Sequence, residues 1–166
     1  MTTITRRSTA RLLLPFIAAA VRVNAIGVNE HLPHFSARTL DGERITTESV
    51  KGKVVLLDFW ATWCPPCKSE EPAIENIIKD FSKDGLLVLA VNMGEPRRRV
   101  KKYLESSPRS SKVVLAEDTT LAAICDARSY PLYVLIDREG QVVGVQRGAA
   151  GESALRRLLS KAGLEA

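Results

Sequence analysis

Val54-Val55-Leu56-Leu57-Asp58-Phe59-Trp60-Ala61-Thr62-Trp63-Cys64-Pro65-Pro66-Cys67 decides how the rest of the chain is read. The first seven of these residues form an apolar run broken only by Asp58, the pattern of a central strand covered on both faces. From Cys64 to about Lys83, Ile74, Ile77, Ile78 and Phe81 recur at three- and four-residue spacing, which predicts a helix. A strand feeding a helix puts Cys64 at the helix N-terminus. There the unpaired backbone N–H groups and the helix dipole favour a thiolate over a thiol. Two cysteines separated by two residues can close into a small disulfide ring and reopen with little backbone movement. The stretch therefore has the make-up of a thiol–disulfide exchange site.

The residue types assign roles within it. Cys64 is the expected nucleophile and N-cap. Pro65 and Pro66 then take the first two helical positions, where a missing N–H is tolerated. The next N–H, that of Cys67, is free to point at the Cys64 sulfur and hold it partly as thiolate, within the roughly 3.5–7.5 pKa range of such sites. Cys67, one turn in, is expected to be the more buried and to resolve the mixed disulfide. Asp58, isolated in an apolar strand, must titrate high or find a partner. It is positioned to take and return the Cys67 proton, against the alternative of simply hydrogen-bonding a neighbour. Glu70, one helical turn beyond Cys67, is a candidate second proton relay or else a solvated surface residue. Tyr130-Pro131 opens a buried strand where a trans proline is awkward, so a cis bond is expected. It would leave the Tyr130 backbone free to pair with an extended substrate. Trp63 is expected at an apolar rim and Trp60 in the core.

Working outward, Phe35–Leu40 and Glu43–Thr46 read as two short strands joined at Asp41-Gly42. Leu86–Val91 is a second buried strand, and Pro96–Leu104 a helix carrying Val100, Tyr103 and Leu104 on one side. Ser106–Ser111 reads as a loop, Val113–Ala116 as a short strand and Thr119–Cys125 as a short helix. Pro131–Asp137 and Gln141–Arg147 form a β-hairpin, and Gly151–Ala162 a closing helix. Pro72 removes a helical N–H and predicts a kink. The order of elements predicts one α/β domain with a mixed sheet, flanked by helices and extended by an N-terminal β-hairpin.

Of the 166 residues, 45% are hydrophobic and 26% charged, enough for a packed core. The formal charge of +5 is concentrated at the start, because residues 1–25 hold Arg6, Arg7, Arg11 and Arg22 and no acid. The remainder is close to neutral, and the basic run Arg97–Lys102 lacks interleaved aromatics, so nucleic acid is not an expected partner. Arg residues, the apolar run Leu12–Val21 and Val23-Asn24-Ala25 come in the order of a secretory signal, residues 1–25, cleaved after Ala25. A basic tail with a short apolar helix is the competing reading. Residues 26–166 are then one exported domain, periplasmic or otherwise extracytoplasmic, without stable membrane insertion and expected to be a monomer. Outside the cytoplasm disulfides persist, and three cysteines are too few for a stapled scaffold. Zinc binding would need two further ligands from Cys125, His31 and His34, which are scattered, so no metal and no cofactor beyond the cysteine pair is expected. A copper or zinc chaperone and a purely structural disulfide are the competing readings of that pair. A thiol peroxidase is a third alternative, weakened because Ala61 stands where such enzymes carry Thr or Ser. Cys125 reads as a small buried hydrophobe.

Asp58-Phe59-Trp60-Ala61-Thr62-Trp63-Cys64-Pro65-Pro66-Cys67-Lys68, followed by Pro72, resembles the thioredoxin active-site signature. Pro33-His34-Phe35, Leu40-Asp41-Gly42 and Leu135-Ile136-Asp137-Arg138-Glu139-Gly140-Gln141-Val142-Val143 are similar to the exported TlpA/ResA-like branch. The resemblance covers about residue 28 to the end. It implies a thioredoxin-like fold, a redox-active Cys64–Cys67 disulfide, a cis Pro131, and thiol–disulfide oxidoreductase activity outside the cytoplasm. It also implies protein disulfide or thiol substrates, a membrane or soluble electron donor, and a place in cytochrome c or copper-site maturation. Glu70 falls where this branch carries its active-site glutamate. Asp58 stands in place of the branch's usual asparagine, and Tyr130 in place of a small or β-branched residue.

Overall fold

The computed structural model describes residues 25–165. All of the expected leader except Ala25 lies outside the described residues. The elements run β1 (Ser36–Thr39), β2 (Arg44–Thr46), β3 (Val54–Trp60), α1 (Pro65–Phe81), β4 (Leu86–Asn92), α2 (Arg97–Ser106), β5 (Lys112–Thr119), α3 (Leu121–Ile124), β6 (Leu132–Ile136), β7 (Val142–Arg147) and α4 (Glu152–Ser160). The seven strands form one mixed sheet in the order β2-β1-β5-β4-β3-β6-β7. Parallel pairing joins β3 to β4 and β4 to β5, and all other neighbours are antiparallel. This is a thioredoxin-like α/β fold carrying the β1–β2 hairpin at its edge.

Every residue of β3 is buried, which is why its sequence is nearly all apolar. Successive side chains point to opposite faces of the strand. Val54 and Leu56 pack with Ile74, Ile77 and Phe81 of α1 and Leu155, Leu158 and Leu159 of α4. Val55, Leu57 and Phe59 pack on the other face, with Phe35, Ile45, Leu121 and Cys125. Because strand order proceeds from β3 to β4 to β5 in one direction, right-handed crossovers set α1 and α2 on the same face. Val100, Tyr103 and Leu104 of α2 accordingly meet Trp60, Ala90 and Leu115 there. Trp60 is fully buried, whereas Trp63 is 57% exposed.

Helix α1 carries its buried residues Cys67, Glu70, Ala73, Ile74, Ile77 and Phe81 on one stripe. It continues past Pro72 to Phe81. A short 3₁₀ turn follows and ends at Gly85, whose φ of 87° suits a residue without Cβ. The hairpin and the α1 strand–helix unit match the sequence expectations. Strand β5 does not: it runs to Thr119 rather than stopping at Ala116. The extra polar residues Glu117-Asp118-Thr119 break apolar patterning but find a partner in β1, where Thr119 pairs with Ala37. The following helix is correspondingly shortened to Leu121–Ile124.

No helix among the described residues is long and apolar enough to cross a membrane. Ile77, fully buried between α1 and β3, carries much of the contact that holds the helix on the sheet. Ile77→Ala is expected to lower unfolding free energy by about 2–5 kcal/mol, read from urea denaturation. A loss below about 1 kcal/mol would show that the helix is held elsewhere.

Candidate active site

Cys64 is the N-cap of α1, with extended backbone (φ −90°, ψ 103°), and Pro65 and Pro66 occupy the first two helical positions. With those two donors removed, the backbone N–H of Cys67 is the next one available. It donates to Cys64 Sγ at 3.3 Å. The two sulfurs are joined in a disulfide, with Cα atoms 5.3 Å apart. In this oxidised form Cys64 and Cys67 are 3% and 4% exposed, so the expected difference in burial between them is absent. Both cysteines lie in the same buried cluster, which includes Trp60, Ala61, Ala90 and Leu115.

The Tyr130–Pro131 bond is cis. Tyr130 packs against the cluster holding both cysteines, and its ring meets Trp63 edge-on with centroids 6.2 Å apart. Trp63 and Tyr130 thus form an aromatic pair at the mouth of the site, one of them largely in solvent. Cys125 lies on the opposite face of the sheet, buried, and burial pushes its thiol up to about 12, so it takes no part.

Two carboxylates that the sequence singles out are both buried. Burial pushes the Asp58 carboxyl up to about 6; Arg109 opposes this rise, and Glu70 and Glu71 add to it. Glu70 is 4% exposed, which overturns its reading as a solvated surface residue. Its Oε1 accepts the backbone N–H groups of Ala150, at 2.9 Å, and Gly151. These precede α4, so Glu70 ties α1 to the start of the last helix, while its Oε2 is buried without a hydrogen-bond partner. Tyr133, paired with Asp58 across β3 and β6, has its ionisation opposed by burial and then by Asp58 and Glu70.

Three further residues complete the surroundings without having stood out in the sequence. Arg109, from the loop before β5, lies 3.2 Å from Asp58 Oδ2 and stacks 3.7 Å above the Trp60 ring. Its Nε is 3.3 Å from Glu71 Oε1, an ion-pair contact without hydrogen-bond alignment. Glu95 is buried and accepts from the backbone N–H of Thr62 at 2.6 Å, the Thr62 hydroxyl, and Asn92 at 2.8 Å. It therefore fastens the turn that leads from β3 into Trp63 and Cys64. Burial opposes the Glu95 charge, but these hydrogen bonds outweigh it and hold the carboxyl below its ordinary value. The one sequence signal for Arg109 was the demand of buried Asp58 for a partner, and that demand names no residue among many basic ones.

The raised Asp58 pKa has a definite sign for stability. Its folded value of about 6 exceeds the ordinary 3.8, so its stabilising contribution is complete below about pH 4 and lost as pH rises through about 6. That rise corresponds to roughly 3 kcal/mol. Urea denaturation across pH is expected to show the wild type losing about that much relative to Asp58→Asn between about pH 4 and pH 7. A pH-independent difference would mean that Asp58 titrates alike in folded and unfolded chains.

Residues 28–145 match the AhpC/TSA family. The chain is 37% identical over 129 residues to the thiol-disulfide oxidoreductase ResA of Bacillus subtilis (strain 168), spanning 78% of this chain and 72% of that protein. It is 31% identical over 139 residues to the thioredoxin-like protein YneN of the same organism, spanning 81% of each. A solved thiol:disulfide interchange protein of the thioredoxin family from Chlorobium tepidum TLS superposes with a TM-score of 0.72 at 28% identity, over 83% of this chain and 99% of that one. The matched segment contains the cysteine pair, the helix that starts on it and the cis proline. On these grounds the chain belongs to the AhpC/TSA family, as a thioredoxin-like thiol–disulfide oxidoreductase.

Proposed function

We propose that this chain reduces protein disulfides outside the cytoplasm through the Cys64–Cys67 pair. The observation that carries the reading is the Cys67 N–H aimed at Cys64 Sγ at the first turn of α1. In the reduced chain that donor and the helix dipole stabilise a Cys64 thiolate. The order of charge, apolar run and small residues in the leader supports export, and outside the cytoplasm a substrate disulfide is stable enough to need a reductase. Maturation of a cytochrome c or of a copper site is the expected setting, with a membrane or soluble dithiol as electron donor.

The Cys64 thiolate attacks one sulfur of the substrate disulfide. A Cys64–substrate S–S bond forms, the substrate S–S bond breaks, and the departing thiolate takes a proton from solvent. Cys67 then gives its proton to the Asp58 carboxylate and attacks Cys64 Sγ. The Cys64–Cys67 bond forms, the mixed disulfide breaks, and the second substrate thiolate leaves to be protonated by Asp58. Two electrons pass from the cysteine pair to the substrate, and an external dithiol restores the pair by the reverse exchange. Glu70 stands beside this route as a second carboxylate able to hold the proton. Trp63, Pro65, Pro66 and the cis Tyr130–Pro131 unit form the substrate face, where an extended peptide can lie along the Tyr130 backbone.

The test is reduction of insulin disulfides by the chain with dithiothreitol. Cys64→Ser is expected to fall to the uncatalysed rate. Cys67→Ser is expected to accumulate a mixed disulfide with insulin, visible by mass spectrometry and released by excess thiol. Wild-type rates no greater than those of Cys64→Ser would contradict the proposal.

A further inference from the structure

Asp58 is a buried acid that must hold a negative charge before it can accept a proton, and burial resists that charge. The groups around it decide how often it is ready. From α1, Glu70 and Glu71 face it, both negative when ionised. From β6 it faces Tyr133, whose phenol stays protonated, and from β4 its register partner is Ala90, which does not titrate. The positive charge comes from Arg109, whose side chain is 2% exposed.

The placement of Arg109 is fixed on three sides. Its Nη1 donates to Asp58 Oδ2 at 3.2 Å, its Nη2 to Glu71 Oε2 at 3.4 Å, and its guanidinium covers the Trp60 ring. The next residue anchors the loop, because the Ser110 backbone N–H donates to Glu75 Oε1 on α1 at 2.9 Å. Trp60, beneath the guanidinium, belongs to the same buried cluster as Cys64 and Cys67. A guanidinium keeps its proton at all accessible pH, so its charge is constant while Asp58 changes. Glu71, more exposed at 16%, is a second carboxylate in contact with the same guanidinium. The buried cation thus has two acidic partners and does not depend on Asp58 alone, and it is an unpaired buried charge that is costly.

We infer that Arg109 is a positioning residue of the exchange site, holding the Asp58 carboxyl in place and ionised so that it can take the Cys67 proton, with Glu71 as the counter-charge that retains Arg109 when Asp58 is protonated. This rests on the proposed exchange reaction and on Asp58 as its base. The electrostatic signs are opposed for the two partners. Loss of Arg109 makes Asp58 harder to ionise, and loss of the Glu71 charge makes it easier. General damage to packing has no reason to produce two opposite shifts.

The test uses the reduced full chain with oxidised glutathione raised until the closure rate no longer depends on its concentration, so that attack by Cys67 and not ionisation of Cys64 sets the rate. Closure of the Cys64–Cys67 disulfide is followed by tryptophan fluorescence from about pH 4.5 to pH 8.5. The wild-type rate is expected to rise with pH through the Asp58 titration, and Asp58→Asn to lack that rise. Arg109→Met is expected to move the rise up by at least one pH unit, Arg109→Lys to move it by less, and Glu71→Gln to move it down. Titration of the ¹³C-labelled Asp58 carboxyl by NMR is expected to shift in the same directions. Should Arg109→Met not fold, Arg109→Lys and Glu71→Gln still give the two opposite signs. A rise that disappears in Asp58→Asn but stays in place in both the Arg109 and Glu71 variants overturns this assignment and leaves the exchange reaction standing. A rise that persists in Asp58→Asn overturns the assignment together with Asp58 as base. A wild-type chain that closes no disulfide sinks the exchange reaction itself, while the carboxyl titration still decides whether Arg109 governs Asp58.

Discussion

The hydrogen bond from the Cys67 N–H to Cys64 Sγ is the contact on which the molecule's chemistry depends. It exists because two prolines remove the donors that would otherwise come first. A sulfur at a helix start experiences the positive end of the dipole and an unpaired N–H together, and both favour its anion. The rest of the fold serves to hold that helix start still. Strand β3 delivers the chain to it from the centre of the sheet, the Ile74, Ile77 and Phe81 stripe presses α1 down, and Glu95 clamps the turn at Thr62. Glu70 fastens the same helix to the start of α4.

A second constraint comes from charge buried beside that start. Burial raises the Asp58 carboxyl, and Glu70 and Glu71 lie close enough to add to that rise. A negative neighbour disfavours the charged form of a buried carboxyl. Arg109 offsets part of that effect while stacking on Trp60. The site thus pairs an anion-stabilising helix start with a carboxyl that titrates within about one unit of neutrality. Nucleophilic attack needs the first feature and proton transfer the second.

Much of this was legible from residues alone. The apolar run at Val54–Trp60 and the helical spacing after Cys64 fixed a strand–turn–helix unit, and cap chemistry then placed Pro65, Pro66 and the Cys67 N–H. Tyr130-Pro131 was readable because a trans proline fits poorly at the mouth of a buried strand. What escaped was what depends on tertiary approach. Arg109 lies in a stretch, Ser106–Ser111, whose composition describes only a loop, and its partners Asp58 and Glu71 are 51 and 38 residues away. Glu95 meets Thr62 across 33 residues. Glu70 looked exposable because nothing local reveals that the turn at Ala150 and Gly151 covers it. The polar end of β5 was hidden for the same reason, since its partner β1 lies far earlier in the chain.

The most direct measurement of the central claim is the rate of iodoacetamide alkylation of Cys64 in the reduced chain as a function of pH, with the modified residue identified by mass spectrometry. The helix start should bring the Cys64 titration to between about 3.5 and 7.5. A midpoint at about 8.5, the value of a free cysteine, would show that the N-terminus of α1 does not stabilise the thiolate.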